Sequence, residues 1–520
     1  MDWLSSNACK ENVKPLQIVE YKTLSPAEQV EERITICILD LLHRLYKLST
    51  SPSYAECIKF SPLFVDKIAT LAYMGHKRQR APAIRVLQLP NMGNHIRTIS
   101  PAIWQDYKTT LQNTYCHRMN VLVSACEPDW SLLWTTSIQL LGTDLHRGAG
   151  LINNLLSVEE KAFKSVDTVV RRQAFLSWKL IIDNFALDEQ ELATARRVKL
   201  LCIPLNAKNS KTESMTLTKL EVWWHLIHQL YGHIGKFSNP VLTQFLNFCF
   251  GPLGDTPLLS SKFNVIASPG KRFSKTKLVA VDALLQLLTN NVEDLNLVKS
   301  SLEEKMPSPI SDEIFQDCYK PFVHSVGEAC LALALLGHRE LDTRAQIIAT
   351  LWKVLLIRVK DSPESVQINM YKEIMLLVVE LSEHSDKPII RDSMLDTILP
   401  SLDEFPSNYV FHFETIVGLM SVVTKPAILN KIIKKHQDLI KRLLWRGVKP
   451  PQALAPYVPN ALEVFRKLVL RLHSIKPESD TLKGISVMWN ILSEMVTKYM
   501  IDGNEMNEGD AAAHDFTLIK

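Results

Sequence analysis

Apolar residues recur at every third or fourth position along most of this chain, the spacing that lines one face of a helix. The pattern is clearest between Leu132 and Leu226. There Val170, Ala174, Trp178, Ile181 and Phe185 share a face, while Arg171, Arg172 and Lys179 fall largely off it. Asp188 can cap the next helix, Glu191 completes a capping box, and Pro204 ends it. A third helix carries Leu217, Leu220, Trp224 and His228 on one side. No such helix can bury its apolar face alone, so each needs the next.

Helix starts punctuate the rest. Ser25-Pro26-Ala27-Glu28 combines a cap, a proline in the first turn and a returning glutamate. Behind it Ile34, Ile38, Leu41 and Leu45 mark an apolar face. Ser61-Pro62 and Ser100-Pro101 open helices in the same way, and Ser157 with Glu160 predicts another start. Basic residues at Arg78–Arg80, Arg171-Arg172, Lys219, Arg344 and Arg391 head apolar helices. Arg171 to Lys219 and Arg344 to Arg391 are each separated by about 47 residues, the upper end of the HEAT and armadillo period. Together these predict an all-α chain, an α-solenoid of HEAT/armadillo-like pairs.

The period breaks at 251–277, where Gly, Pro, Ser and Lys crowd together, and a disordered basic insertion is expected there. Repeats are expected over 1–250 and again over 278–503, with helices from Leu278, across Glu293–Leu302, and near Asp312 and Thr343. The polar tail, 504–520, breaks off in a new apolar turn and suggests a chain cut short relative to its relatives.

Scarce glycine, 17 in 520 residues, favours helices over a long series of hairpins. A net charge of +4 places any anion-binding surface locally rather than over the whole molecule. The nine cysteines are scattered, without ligand spacing, and read as small core residues. No apolar run reaches the roughly 20 residues of a membrane span, so no membrane partner is expected.

The segments LGTDLHRGAGLINNLL, FLSWKLIIDNFAL, ARRVKLLCIPL and LTKLEVWWHL resemble the amino-terminal helical-repeat domain of the telomere-associated Rif (Rap-interacting factor one) family, and NEMNEGDAAAHDF resembles a later part of it. The resemblance implies a nuclear, chromosomal and telomeric setting. It also implies roles in telomere maintenance, replication timing and the choice of double-strand-break repair route. The partners it implies are DNA (ends, junctions or duplex) and phosphorylated damage-response proteins. Recruitment of protein phosphatase one is implied only through segments absent here, since neither an RVxF-like motif in suitable context nor a SILK motif is present.

No P-loop, GxSxG elbow, HExxH or kinase signature occurs, so no catalytic residue, cofactor or metal is assigned. His225 and His228 lie in a Trp-rich helix without a third ligand, which favours packing over metal binding. Three features point to phosphate chemistry. Lys431, Lys435, Arg442 and Arg446 recur on the helix expected from Pro426 to Lys449, opposite Ile433, Ile440, Leu443 and Leu444, and make a ridge suited to DNA backbone contacts. Arg78, Arg80, Arg171, Arg172 and Arg196-Arg197 can line one surface of a repeat array, or instead pair with carboxylates of the neighbouring repeat. Ser268, in Ser268-Pro269-Gly270-Lys271, fits the pattern of cell-cycle kinases. The reading is a non-enzymatic scaffold. The alternative is a transport adaptor or phosphatase scaffold on the same repeat, which would offer acidic or apolar grooves; an unfamiliar enzyme is the third class. The oligomeric state is left open.

Overall fold

The computed structural model describes residues 25–48, 61–147, 149–187, 194–207, 212–250, 274–298, 302–335 and 341–363, with a few short pieces beyond. Every regular element among them is helical, and the all-α solenoid expected from the sequence is what the chain forms. It divides into two compact units, Met1–Leu242 and Thr243–Lys520.

In the first unit the helices are α1 (Pro26–Leu48), α2 (Ser61–Met74), α3 (Lys77–Leu87), α4 (Met92–Ile99), α5 (Pro101–Thr110), α6 (Cys116–Ser124), α7 (Asp129–Leu141), α8 (Ala149–Phe163), α9 (Thr168–Ala186), α10 (Ala195–Cys202) and α11 (Glu213–Gln229). The cap at Ser25 forms as predicted. Its Oγ accepts from the Glu28 amide at 3.4 Å, and the Glu28 carboxylate accepts from the Ser25 amide at 2.7 Å. Asp167 caps α9 by accepting from the Val169 and Val170 amides at 2.6 and 3.4 Å.

Two rows follow from which helices touch. In one row α1, α3, α7, α9 and α11 each pack on the next; in the other α2, α6 and α8 do so, with α2 also against α3, α6 against α7 and α8 against α9. Apolar burial is the main force between them. Val170, Ala174, Trp178, Ile181 and Phe185 are at most 3% exposed, as their spacing predicts. Gly93 lets α4 approach α7 closely, since a Cβ there would sit 1.9 Å from the Leu140 carbonyl oxygen.

Polar bonds then set the register of the first row. His76 meets Glu32 at 2.7 Å and Arg85 meets Asp40 at 3.0 Å between α1 and the head and body of α3. Arg80 meets Asp129 at 3.2 Å and Gln88 meets Thr136 at 3.0 Å between α3 and α7. Asn184 donates to the Gly142 carbonyl at 3.0 Å between α9 and the end of α7. Arg172 donates to Thr218 at 3.1 Å, and Asp183 accepts from His225 and Gln229 at 2.6 and 3.2 Å, between α9 and α11. Partners in these bonds are 42 to 49 residues apart, which is the repeat length seen as chemistry.

Tryptophans recur at nearly the same interval and tie α7 to α8, and α9 and α11 to the stretch in and after α10. The indole N–H groups of Trp134, Trp178 and Trp223 donate to the carbonyls of Leu155, Leu201 and Leu205 at 2.9, 3.1 and 3.3 Å. Leu201 lies in the last turn of α10, whose carbonyls have no partner within the helix.

Several local expectations are corrected. Ser157 and Glu160 do not start a helix; α8 runs through them, and buried Glu159 turns inward to accept from Ser177 at 2.5 Å. Burial pushes the Glu159 carboxyl well above its ordinary range. Ile34, Ile38, Leu41 and Leu45 do not face the core: they are 39–56% exposed, and α1 buries Glu32, Leu39 and Tyr46 instead. α11 is not one-sided, since Val222, Trp223, Trp224, His225, Leu226 and Ile227 are all buried. Lys219, read as a basic helix start, is 3% exposed and donates to the Ala207 carbonyl. Burial pulls its ammonium down to about 7.

The second unit contains α12 (Gln244–Phe250), α13 (Ser274–Leu288), α14 (Val292–Asn296), α15 (Asp312–Asp317), α16 (Tyr319–Leu335) and α17 (Leu341–Lys360). α16 packs on α12, α13 and α17. α13 begins four residues before the expected Leu278, with Thr276 and Lys277 already buried. α14 is shorter than the expected Glu293–Leu302. Arg358 of α17 bonds Asp312 and the Ile310 carbonyl, again across one repeat length. The segment 251–273 with Ser268, and Lys431, Lys435, Arg442 and Arg446, lie outside the described residues. Five cysteines, Cys116, Cys202, Cys249, Cys318 and Cys330, are buried, and Cys37 and Cys126 are exposed.

Trp178→Ala is expected to cost about 3–5 kcal/mol in urea unfolding. Trp178→Phe, which keeps most of the volume but strands the Leu201 carbonyl, should cost about 1–2 kcal/mol. For Lys219 the folded chain releases the proton near pH 7, whereas the unfolded chain holds it to about 10.4. Stability should therefore rise with pH across that window. Lys219→Met should be the more stable protein at pH 7, by up to about 4 kcal/mol, and lose this advantage by pH 10.5 when urea midpoints are compared.

Candidate phosphate-binding cleft

The site is organised by the turn after α7. Gly142 takes a φ of 50°, the left-handed region, and stops the helix. The chain then winds through one 3-10 segment, Gly142–Arg147, before α8. Leu141 and Leu145, both at most 2% exposed, peg this turn to the core. Between the pegs Asp144 points inward, and His146 and Arg147 follow at the surface.

Asp144 is a hub for cations. Its Oδ1 accepts from Arg97 at 2.9 Å and lies 3.6 Å from Arg147; its Oδ2 accepts from the Trp104 indole at 2.7 Å and lies 3.8 Å from Lys108. Burial alone would raise its carboxyl. The Trp104 and Arg97 hydrogen bonds, with the charges of Arg97 and Lys108, outweigh that and hold it below the ordinary value. One carboxylate thus serves three cations, and the local balance is positive. The side chains of Arg97 and Arg147 are 35% and 74% exposed.

His146 leads from this hub into a cleft of about 730 Å³ between the turn, α8 and α10. Arg197 donates to His146 Nδ1 and lies over the Phe185 ring, 4.7 Å from its centre. A guanidinium can only donate, so Nδ1 accepts, and the ring proton sits on Nε2, 3.2 Å from the Asn184 carbonyl. Arg196 and Lys199 stand exposed on the rim, and neither bonds to a described residue. Ile152, Leu156, Leu200 and Ile203 form an apolar floor, and among the described residues no carboxylate lines the cleft. The arrangement can hold an oxyanion at the rim beside an apolar group below it.

The other basic residues singled out in the sequence do not join this cleft. Arg80 is 3% exposed and lies between Asp129 at 3.2 Å, Glu127 at 3.8 Å and the Gly75 carbonyl at 3.0 Å, an inter-repeat bond and not a surface. Arg78 is 75% exposed and 3.8 Å from Glu32. Arg172 reaches Thr218, and Arg171 is half-buried beside it. His225 is engaged with Asp183 at 2.6 Å. Among the described residues no cluster of His, Cys, Asp and Glu could hold a metal ion, and no helix is long and apolar enough to cross a membrane. Sequence reading had marked Arg196 and Arg197 but missed Arg97, Lys108, Arg147 and Lys199. The signal that existed was Asp144 inside LGTDLHRG, a lone acid among basic neighbours.

Comparison with known proteins agrees with the resemblance read from the sequence. Residues 78–236, which include the whole cleft, match the family described as Rap1-interacting factor 1 N terminal. The human protein named telomere-associated protein RIF1 is 26% identical over 434 residues, covering 74% of this chain and 17% of its own length. The chicken protein of that name is 26% identical over 442 residues, covering 74% of this chain and 18% of its own. The Drosophila melanogaster protein of that name is 28% identical over 310 residues, covering 58% and 21%. The chain thus spans about a fifth of the length of these relatives. No solved structure matches it significantly.

Asp144→Asn should lower stability by about 2 kcal/mol at neutral pH, because the three cations lose their shared charge. A folded carboxyl held low stabilises above the unfolded value of 3.8 and loses that contribution as pH falls through the folded one. Urea midpoints of the two proteins should therefore differ at pH 7 and converge in acid.

Proposed function

We infer that this chain, whose residues 78–236 carry the amino-terminal pattern of Rap1-interacting factor 1, is a non-enzymatic helical-repeat scaffold of a telomere-associated chromatin protein. It acts in the nucleus, at chromosomes and telomeres, and contributes to telomere maintenance, replication timing and the choice of break-repair route by holding phosphate-bearing partners. The observation that carries this reading is the cleft and its approach: Arg147 is exposed beside Asp144, Arg196 and Lys199 stand exposed on the rim of the cleft, and among the described residues Asp144 is the one acid bonded to these cations. That surface suits phosphate oxygens through charge without reading sequence. DNA is the first partner proposed. A phosphorylated damage-response protein is the second, favoured by the apolar floor that a duplex would leave unused. The ridge of Lys431, Lys435, Arg442 and Arg446 is proposed as a further DNA contact.

Titration of duplex DNA against the whole chain should show weak binding that falls steeply with salt, by roughly 0.9 in log–log slope for each phosphate contact. Arg147→Glu with Arg196→Glu and Lys199→Glu should weaken binding and flatten the slope, and the four-residue ridge reversal should do so independently. Helicity should be unchanged in both. Equal affinity and slope in the cleft variant would refute the DNA reading of the cleft. A phosphopeptide that binds the native chain and not that variant would support the second.

A further inference from the structure

We propose that His146 makes the cleft sensitive to pH: an oxyanion bound at the rim draws Arg197 off the imidazole, and the released Nδ1 takes up a proton. This deepens the phosphate reading of the cleft and rests on it. His146 is half-buried between two contacts that fix its state. Its Nε2 lies 3.2 Å from the Asn184 carbonyl, which can only accept, and its Nδ1 accepts from Arg197, which can only donate. The ring held in this way is neutral. A protonated ring would turn an N–H and a positive charge toward a guanidinium that itself presents N–H groups and a positive charge. The Arg197 contact and the imidazolium therefore exclude each other.

The described charges around the ring leave that conflict standing. α10 brings Arg196, Arg197 and Lys199, and among the described residues no carboxylate lines the cleft. On the turn itself Asp144 is directed to Arg97, Lys108, Arg147 and the Trp104 indole. α9 contributes the Asn184 carbonyl and the Phe185 ring, tilted at 5.3 Å, while its Asp183 is engaged with His225 and Gln229. Arg171, Arg172 and Lys179 lie further back in that helix. α7 has one ionisable side chain, Asp129, at its far end and bonded to Arg80; those of α8, Glu159, Glu160 and Lys161, lie toward its far end.

An oxyanion resolves the conflict. Held by Arg196 and Lys199, it offers the guanidinium a charged acceptor in place of a neutral imidazole, and charge-assisted hydrogen bonds are the stronger. Its negative charge also favours a positive ring. Linkage fixes the sign: the anion tightens the ring's hold on a proton, and the proton tightens the site's hold on the anion by the same factor. Binding therefore strengthens as pH falls through the range in which imidazole titrates.

Imidazole NMR signals of the whole chain, followed against pH, test this, with His146 identified by its loss in His146→Gln. Sulfate is the probe, compared with chloride at equal ionic strength, because it takes up no proton near neutrality. Sulfate should move the His146 titration to higher pH, and Arg197→Met, which removes the donor, should do so without sulfate. Sulfate affinity read from these signals should rise about threefold from pH 7.5 to pH 6 in the native chain. It should stay level in His146→Gln, whose amide can keep both contacts and does not titrate. A native chain that binds no sulfate at either pH overturns the phosphate reading, and this proposal with it. Sulfate binding whose pH dependence survives in His146→Gln overturns this proposal alone. So does a His146 that titrates at the same pH with and without the Arg197 guanidinium.

Discussion

A helix of eight to twenty-three residues, the range found in the first unit, gains too little from its own hydrogen bonds to persist in water. What holds each one is the apolar face of its neighbour. That constraint explains why this chain must be an array and why its polar bonds recur at one interval. Apolar packing is tolerant of sliding, because Leu against Leu is much the same one turn along. The bonds of Arg80 to Asp129, Arg172 to Thr218, and His225 and Gln229 to Asp183 are not tolerant. Each leaves a buried or half-buried polar group stranded if the register slips. Burial holds the rows together, and these bonds fix where each repeat sits on the last.

The same logic separates structural from available charge. Cations at the heads of α3 and α9 look alike in sequence, but Arg80 is consumed by Asp129 and Glu127, whereas Arg172 donates to the Thr218 hydroxyl and stays exposed. Around Asp144 the ratio is reversed, with one carboxylate facing Arg97, Lys108 and Arg147. Positive charge is left over there, and the cleft with Arg196 and Lys199 extends it. A chain of nearly balanced charge thus carries, among its described residues, a local excess of positive charge set by where its acids lie.

Periodicity made much of this legible. The α9 face from Val170 to Phe185 was readable residue by residue, because five apolar side chains at helical spacing have one common direction. Caps at Ser25 and the proline starts at 61 and 100 were equally plain. Periodicity says which positions are apolar, however, and not whether a neighbour exists to cover them. The stripe of α1 was read as core for that reason, and α11, apolar nearly all round, was read as one-sided. Ser157 with Glu160 had the letters of a cap inside a continuous helix, where tertiary packing overrides the local signal. The cation hub was hidden because Arg97, Lys108 and Arg147 come from three different elements and meet only through the fold.

The central claim is that each repeat is held by its immediate neighbours. Hydrogen exchange of an Ile181→Ala protein tests it most directly, since Ile181 is fully buried in the middle of α9. Stacking by nearest neighbours predicts faster exchange in α7, α9 and α11, with α1 and α3 as protected as before. Equal loss of protection across all five helices would contradict it, because the unit would then stand or fall as one globular core.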